Sequence, residues 1–479
     1  MNNKVIKAGI GYTIGNYLLK GLSFFTIPLF VRFLNPSDYG KYSVFTSYEA
    51  MLFVVIGLAI HSSYKNARYK YGTIGEGAKL GNDYHSYIST TMLMIICSCI
   101  MFLIVANLFF PFLGRILDLD RLSINMLIIF SFGSAIICCF NVDVALDYRF
   151  QSFLKIAGIN AISNIFISIL LIITVFKENP YIGRVVGSTI PVALLASLII
   201  YQYLKIARPC NFKSFLSWGI KYSLPIIPHG LSQIVLNQFD RIMINSFVGS
   251  YPAGIYSFAY NIYSIVSVTA ISIDNAWGPW FYEKMNDHDL EAIREKSKYY
   301  MLFLCSFVSC VLLASPELIK LLGTDQYYDA ISCAIPLIAS GFFAFMYNIP
   351  AGVEYYYEKT RHIATGTALA AIINISLNYY VINHFNYISV AYTTLLTYFL
   401  YFCFHYIMAW KINGSCLFST KTVLTCSCIV LIVAIFTMIY INSWLLRWII
   451  MVVFFSGALF YEEKKLSLGY RLKQKVMKR

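Results

Sequence analysis

Runs of about twenty apolar residues, separated by short polar turns, recur from one end of this chain to the other. Each run is long enough to cross a bilayer as a helix, and between them no polar stretch is long enough for a soluble domain. Composition agrees. Of 479 residues 58% are hydrophobic and 13% charged, where a soluble domain carries roughly 25% charged residues. The pattern predicts an all-α integral membrane protein with about fourteen transmembrane helices, over 9–33, 41–64, 86–110, 123–147, 153–176, 183–204, 221–248, 253–282, 299–322, 330–353, 362–383, 386–410, 421–441 and 443–461. Lys4 and Lys7 precede the first run as in a signal peptide, but Lys20 interrupts it and no small-residue cleavage site follows. An uncleaved first helix is expected.

Charge tests the count. With the N-terminus in the cytoplasm, 27 of the 37 Lys and Arg fall in cytoplasmic segments and 8 outside, leaving Lys20 and Arg241 within spans. This is the positive-inside bias, and one miscounted span would scramble it. Both termini are therefore expected on the cytoplasmic side. Seven of the cations, Lys464, Lys465, Arg471, Lys473, Lys475, Lys478 and Arg479, form a basic tail. No soluble domain carries them, so they are read as solvated on an anionic lipid surface, and no nucleic-acid partner is expected. The twelve cysteines lie mostly inside apolar runs and read as small buried hydrophobes. No metal site is expected.

The chain also repeats. At an offset of 214 residues, Phe33-Leu34-Asn35-Pro36-Ser37-Asp38-Tyr39-Gly40-Lys41-Tyr42-Ser43 falls on the segment from Phe247 to Ser257, with Phe33/Phe247, Gly40/Gly254, Tyr42/Tyr256 and Ser43/Ser257 identical. Spans 1–2 then correspond to spans 7–8 in the same orientation, a parallel repeat about an axis normal to the bilayer. The expected divisions are a lobe over 1–204, a second over 205–410, and an appendix of two helices and the tail over 411–479.

The loop Leu34-Asn35-Pro36-Ser37-Asp38-Tyr39-Gly40-Lys41-Tyr42 resembles a signature of the polysaccharide-transport flippases (O-antigen flippases among them) of the multidrug/oligosaccharidyl-lipid/polysaccharide exporter superfamily. Asp240-Arg241-Ile242, with Gly254-Ile255-Tyr256-Ser257, is similar to a second one, and the end of span 2, His61 to Tyr69, also resembles that family. The resemblance implies two pseudo-symmetric six-helix lobes around a central cavity, opened alternately to either side of the cell inner membrane. It implies an undecaprenyl-diphosphate-linked oligosaccharide as substrate, for O-antigen or capsule assembly, membrane lipids as surroundings, and a polysaccharide polymerase and chain-length regulator as partners. No enzymatic activity and no cofactor are implied beyond a coupling Na+ or H+.

Ionisable groups inside spans are functional candidates by default. Lys20, mid-span, suits a lipid diphosphate as a point charge, or else pairs with Glu49 or Asp240 to pack two helices. His61, Arg68, His229 and Arg241 complete the expected substrate contacts. In span 7, His229, Gln233, Asn237 and Asp240 share one helical face, and Pro225 and Pro228 predict a kink before it. Asp240, Asn374, Asn378 and Thr394 lie roughly 8–13 Å from the outer ends of their spans at 1.5 Å per residue. They are expected to form an ion-coupling site, with inter-helix hydrogen bonding as the alternative. In the superfamily's lipid II flippases the corresponding helix 11 carries an N-x-x-x-D pair, where this chain has Asn374 and Asn378. Asp143 and Asp147, one turn apart, are expected near Arg149, and Asp274 near a cation. Two other functions compete: a small-molecule exporter of the same superfamily, and a membrane glycosyltransferase or polymerase, against which the lack of a long external loop with clustered carboxylates argues.

Overall fold

The computed structural model describes residues 3–72, 82–415, 417–453 and 456. Lys79 and the basic tail lie outside the described residues, as do the side chains of Lys4, Lys7 and His229. All the regular structure among them is helical. Packing divides the chain into Met1–Ser257 and Phe258–Arg479.

The first unit contains α1 (Asn3–Phe33), α2 (Pro36–Ile56), α3 (Tyr64–Tyr71), α4 (Asn82–Leu108), α5 (Phe110–Leu117), α6 (Arg121–Leu146), α7 (Phe150–Thr174), α8 (Pro180–Ile206), α9 (Phe212–Ser223), α10 (Ile227–Phe247) and the first turns of α11 (Ser250–Asn286). Helix α8 packs on α6 and α7, α2 on α6 and α10, and α1 on α7. Small residues bring these axes close. A methyl on Gly187 would lie 2.4 Å from the Ser168 Cα, and one on Gly133 would lie 2.4 Å from Val192. Lipid gives no hydrophobic drive between helices, so such close approach is what holds them.

The second unit contains the rest of α11 with α12 (Leu290–Leu322), α13 (Ala330–Met346), α14 (Asn348–Tyr356), α15 (Thr360–His384), α16 (Ser389–Asn413), α17 (Thr420–Ile439) and the short α18 (Trp444–Val453). Helix α13 is its core: every residue of it except Ser332 is buried. A helix apolar on all sides has to be buried on all sides. Helices α12 and α17 cover α13 on one flank and α16 on another, with α15 packed on α16.

Among the described residues eleven helices are long and apolar enough to span a membrane, and a twelfth span is α2 with Ile60–Tyr71, bent by 51°. Leu58 and Ala59, both at positive φ, make that bend. The other two expected spans are α10, 21 residues long but more polar than the others, and α18, ten residues that begin one residue into the 443–461 span. Expected span 7 is shorter than its sequence limits. Pro225 stops α9 at Ser223, a 3-10 turn follows over Leu224–Ile226, and α10 restarts at Ile227 with Pro228 in its first turn, where proline is tolerated. The expected lobe boundary at 204/205 follows the sequence repeat, whereas packing groups α9 and α10 with the first unit.

Candidate functional site

The repeated segments meet. Asn35 caps α2, its Oδ1 accepting from the Asp38 N–H at 2.9 Å, with Pro36 in the first turn. At the same 214-residue offset, α11 starts at Ser250. The two N-terminal turns cross. A methyl on Gly40 would lie 1.9 Å from the Ser250 carbonyl oxygen, and one on Gly254 1.8 Å from that of Pro36. Since Ser250 corresponds to Pro36 and Gly254 to Gly40, the contact is self-complementary, as at a two-fold axis. The Ser37 and Ser250 hydroxyls hydrogen-bond across it at 2.6 Å.

Just beyond this crossing, the Tyr256 hydroxyl donates to the Asp240 carboxylate at 2.6 Å, with both residues buried. Asp240 thus joins α10 to α11 inside the first unit. On the same helix Asn237 donates to the Gln233 carbonyl at 2.8 Å. Arg241 leaves this polar face, as its position one residue on requires, and its guanidinium donates to Gln238, which also accepts from Ser47 of α2 at 3.4 Å.

Asn374, Asn378 and Thr394 belong to the second unit and are buried there. Asn378 donates to Asn374 at 3.1 Å. It is Thr393 whose hydroxyl donates to Asn378. Thr394 donates to the Val390 carbonyl one turn back, at 2.9 Å. Within the second unit the two asparagines cluster with Thr393 between α15 and α16, and within the first Asp240 is engaged by Tyr256.

Lys20 is exposed, five residues from the buried Gly15 that packs α1 on Leu154 of α7. At 100° per residue it lies about 140° around α1 from that contact, on the face turned away from α7. Neither suggested partner reaches it. Asp240 holds Tyr256, Glu49 bonds Ser134, and among the described residues no carboxylate forms an ion pair with Lys20.

Arg68 sits otherwise. Its guanidinium pairs with Asp147 at 2.6 Å, and Asp147 also meets Arg149 at 3.2 Å. Arg149 donates to the buried Asp143 at 2.9 Å, which further accepts from the hydroxyls of Tyr84 and Tyr203. Asp143, Asp147, Arg149 and Tyr203 border a cavity of about 220 Å³. The one-turn spacing of Asp143 and Asp147 did indicate this pairing. His61 is half-buried in the 3-10 turn at the bend of the second span. Asp274 accepts from Tyr300 of α12 and Asn348 of α14, and among the described residues of the second unit no lysine or arginine pairs with it.

Three further ionisable residues were not singled out by sequence. Arg447 of α18 is buried and bonded to Glu317. Glu354 of α14 and His405 of α16 are wholly buried and 2.6 Å apart. His405 lies within its expected span, 386–410, where a titratable group is a signal in itself. Glu354 lies one residue past the expected end of its span and read as part of a loop.

In comparison with known proteins, the family model described as polysaccharide biosynthesis protein matches residues 5–285. A protein of the Lsg locus of Haemophilus influenzae is 21% identical over 394 residues, 78% of this chain and 90% of that one. Among solved structures, the lipid II flippase MurJ in an inward closed conformation superposes with a TM-score of 0.69 at 16% identity, over 95% of this chain and 99% of that one. An inward-facing multidrug resistance MATE transporter of the MOP superfamily gives 0.62 at 13%, over 83% and 95%. These likenesses give the fold of that superfamily. The family model spans more than half of the sequence and covers the glycine crossing, Lys20 and Asp240, so this chain is a multi-span membrane protein belonging to the polysaccharide biosynthesis protein family.

Proposed function

We propose that the protein moves an undecaprenyl-diphosphate-linked oligosaccharide from the inner to the outer leaflet of the bacterial cytoplasmic membrane by alternating access, driven by an ion gradient, for O-antigen or capsule assembly. In this reading both termini are cytoplasmic, as the distribution of Lys and Arg suggests. Membership of the family supplies the polysaccharide context.

The observation that carries the reading is Lys20. A cation in the middle of a span costs at least about 2.5 kcal/mol unless it is paired or meets water. Among the described residues Lys20 has no carboxylate partner, and it is exposed on the face of α1 turned away from α7. A water-filled path that admits a diphosphate resolves that cost, because the ammonium then meets water when the path is empty and phosphate when it is loaded. An exporter of cationic or neutral small molecules would have no use for the charge.

Reconstituted vesicles containing fluorescent lipid-linked oligosaccharide test this under imposed sodium or proton gradients. Gradient-stimulated translocation is expected under one of them, and none under either would sink the proposal. Lys20→Glu is expected to slow translocation at least about tenfold, the scale of losing one charge-assisted hydrogen bond of about 1.5–3 kcal/mol. Unchanged translocation of the glycan by that variant would remove Lys20 from the substrate path.

A further inference from the structure

Glu354 and His405 are the one pair of titratable side chains among the described residues with no exposure at all on either partner and a direct ion-pair contact. Glu354 Oε1 lies 2.6 Å from His405 Nδ1. The far atoms of both residues, Glu354 Oε2 and His405 Nε2, have no hydrogen-bond partner. Buried polar atoms are nearly always satisfied, and an exception calls for a reason. For a pair that only ties α14 to α16, two open atoms are a liability.

The surroundings are specific. The imidazole is flanked by the rings of Tyr347 at 5.5 Å, Tyr401 at 4.6 Å and Phe404 at 5.2 Å. Tyr401 is itself tied to Thr367 of α15 at 3.0 Å. Gly366 of α15 faces Nε2, where a methyl would lie 2.9 Å away. Only a glycine fits where α15 passes this nitrogen and the Phe404 ring, whose Cε1 the same methyl would meet at 2.7 Å. The titratable groups facing the pair are the tyrosines 347 and 401 against His405 and Tyr355 beside Glu354. Among the described residues no lysine or arginine pairs with Glu354.

We propose that Glu354 and His405 form a proton-binding site that couples a proton gradient to transport. This rests on the transporter reading above. The proton balance is simple. With Nδ1–H donating to an ionised Glu354, the pair carries one negative charge and a bare Nε2. A proton taken from water at Nε2 makes an imidazolium–carboxylate pair of zero net charge. A lone buried charge is far costlier than a compensated pair, so the closed site holds its proton and gives it up only where water reaches it. Gly366 is six residues into α15 and His405 eight from the end of α16, or roughly 9–12 Å from the chain ends of that side at 1.5 Å per residue. In the proposed orientation this is the cytoplasmic end of the second unit.

The test uses the full chain in vesicles with the lipid-linked glycan, comparing the translocation rate with and without an imposed proton gradient. That ratio is expected to exceed 1 in the wild type and to fall to 1 in Glu354→Gln and in His405→Gln, whatever their absolute rates. Glutamine is isosteric with Glu354, at position 405 it supplies a neutral amide, and at neither position does it titrate. Should one of these variants fail to fold, the other carries the test together with Gly366→Ala, which crowds Nε2 while leaving both titratable groups in place and is expected to lower the ratio as well. Difference infrared spectroscopy during a pH titration of the purified protein gives a readout independent of cargo: a signal of the pair changing protonation, present in the wild type and missing from Glu354→Gln. A gradient ratio that survives in both glutamine variants, or no such infrared difference, overturns the proton site. The infrared signal without any translocation of the glycan overturns the transport reading instead.

Discussion

Alanine at Gly254 is expected to destabilise the protein by about 3 kcal/mol or more, at or beyond the top of the range for forcing a methyl into a packed interior. The methyl would sit 1.8 Å from the Pro36 carbonyl oxygen. That atom is backbone, in the first turn of α2, and has no rotamer to yield. Gly40→Ala is expected to behave alike, since its methyl would sit 1.9 Å from the Ser250 carbonyl oxygen. The double variant should cost less than the sum of the two. Once one methyl has pushed α2 and α11 apart, the second finds room, and residues in contact depart from additivity by about 0.5–3 kcal/mol. Gly158→Ala is the control: nothing lies within 4 Å of an added methyl there, so it should gain the roughly 0.5–1 kcal/mol by which alanine exceeds glycine inside a helix. Thermal unfolding in detergent, followed by size exclusion, measures all four. Additive losses at 40 and 254 would mean that the crossing is not one shared contact.

Removing the Arg447 guanidinium should cost about 3–5 kcal/mol, the usual penalty for breaking a buried charge pair from one side. An arginine has five N–H donors, and all five are used here. Nε donates to the Tyr440 carbonyl at 3.0 Å, one terminal nitrogen to Leu313 O at 2.8 Å and Glu317 at 2.9 Å, and the other to Ile441 O at 2.9 Å and again to Glu317. The group closes the end of α17, whose last carbonyls have no helical partner, and ties the α17–α18 hairpin to α12. Arg447→Ala strands those acceptors together with Glu317. Arg447→Lys keeps the charge but offers three donors with no fork, and it should recover less than half of the loss. Glu317→Gln should cost less than either, since that side chain is 28% exposed and water can replace part of what is lost. Proteolysis of the α17–α18 connection, alongside melting, separates local detachment from global unfolding. An alanine variant as stable and as protease-resistant as the wild type would show that the fork contributes nothing.

Legibility in the sequence varied with the range of the interaction. The spans were readable because each is set by local composition against a fixed bilayer thickness. Even the polar α10 was located, by the alternation of charge rather than by hydropathy. The proline break before α10 and the Asp143, Asp147 and Arg149 group were readable too, because both depend on spacings of a few residues. Arg68 was read as a substrate contact with no sign of its ion pair to Asp147: proximity across two helices leaves no mark in either one. Thr394 and Thr393 are neighbours in sequence, and only the rotation of α16 decides which hydroxyl meets Asn378. Glu354 was lost to a boundary error of one residue.

By itself the sequence determined that this chain lives in a membrane and where its helices run, and it carries the same Gly-x-Tyr-Ser segment after the first and the seventh spans. Hydrophobic length, the positive-inside bias and repetition are written along the chain, one residue after another. Tertiary structure alone decided that the two copies of the repeat touch through Gly40 and Gly254, and which charges are already spent on one another. It also decided that Lys20 meets no carboxylate among the described residues and that Glu354 and His405 share a buried contact. A helix presents a given side chain in one direction, and what stands in that direction is supplied by a segment far away in sequence.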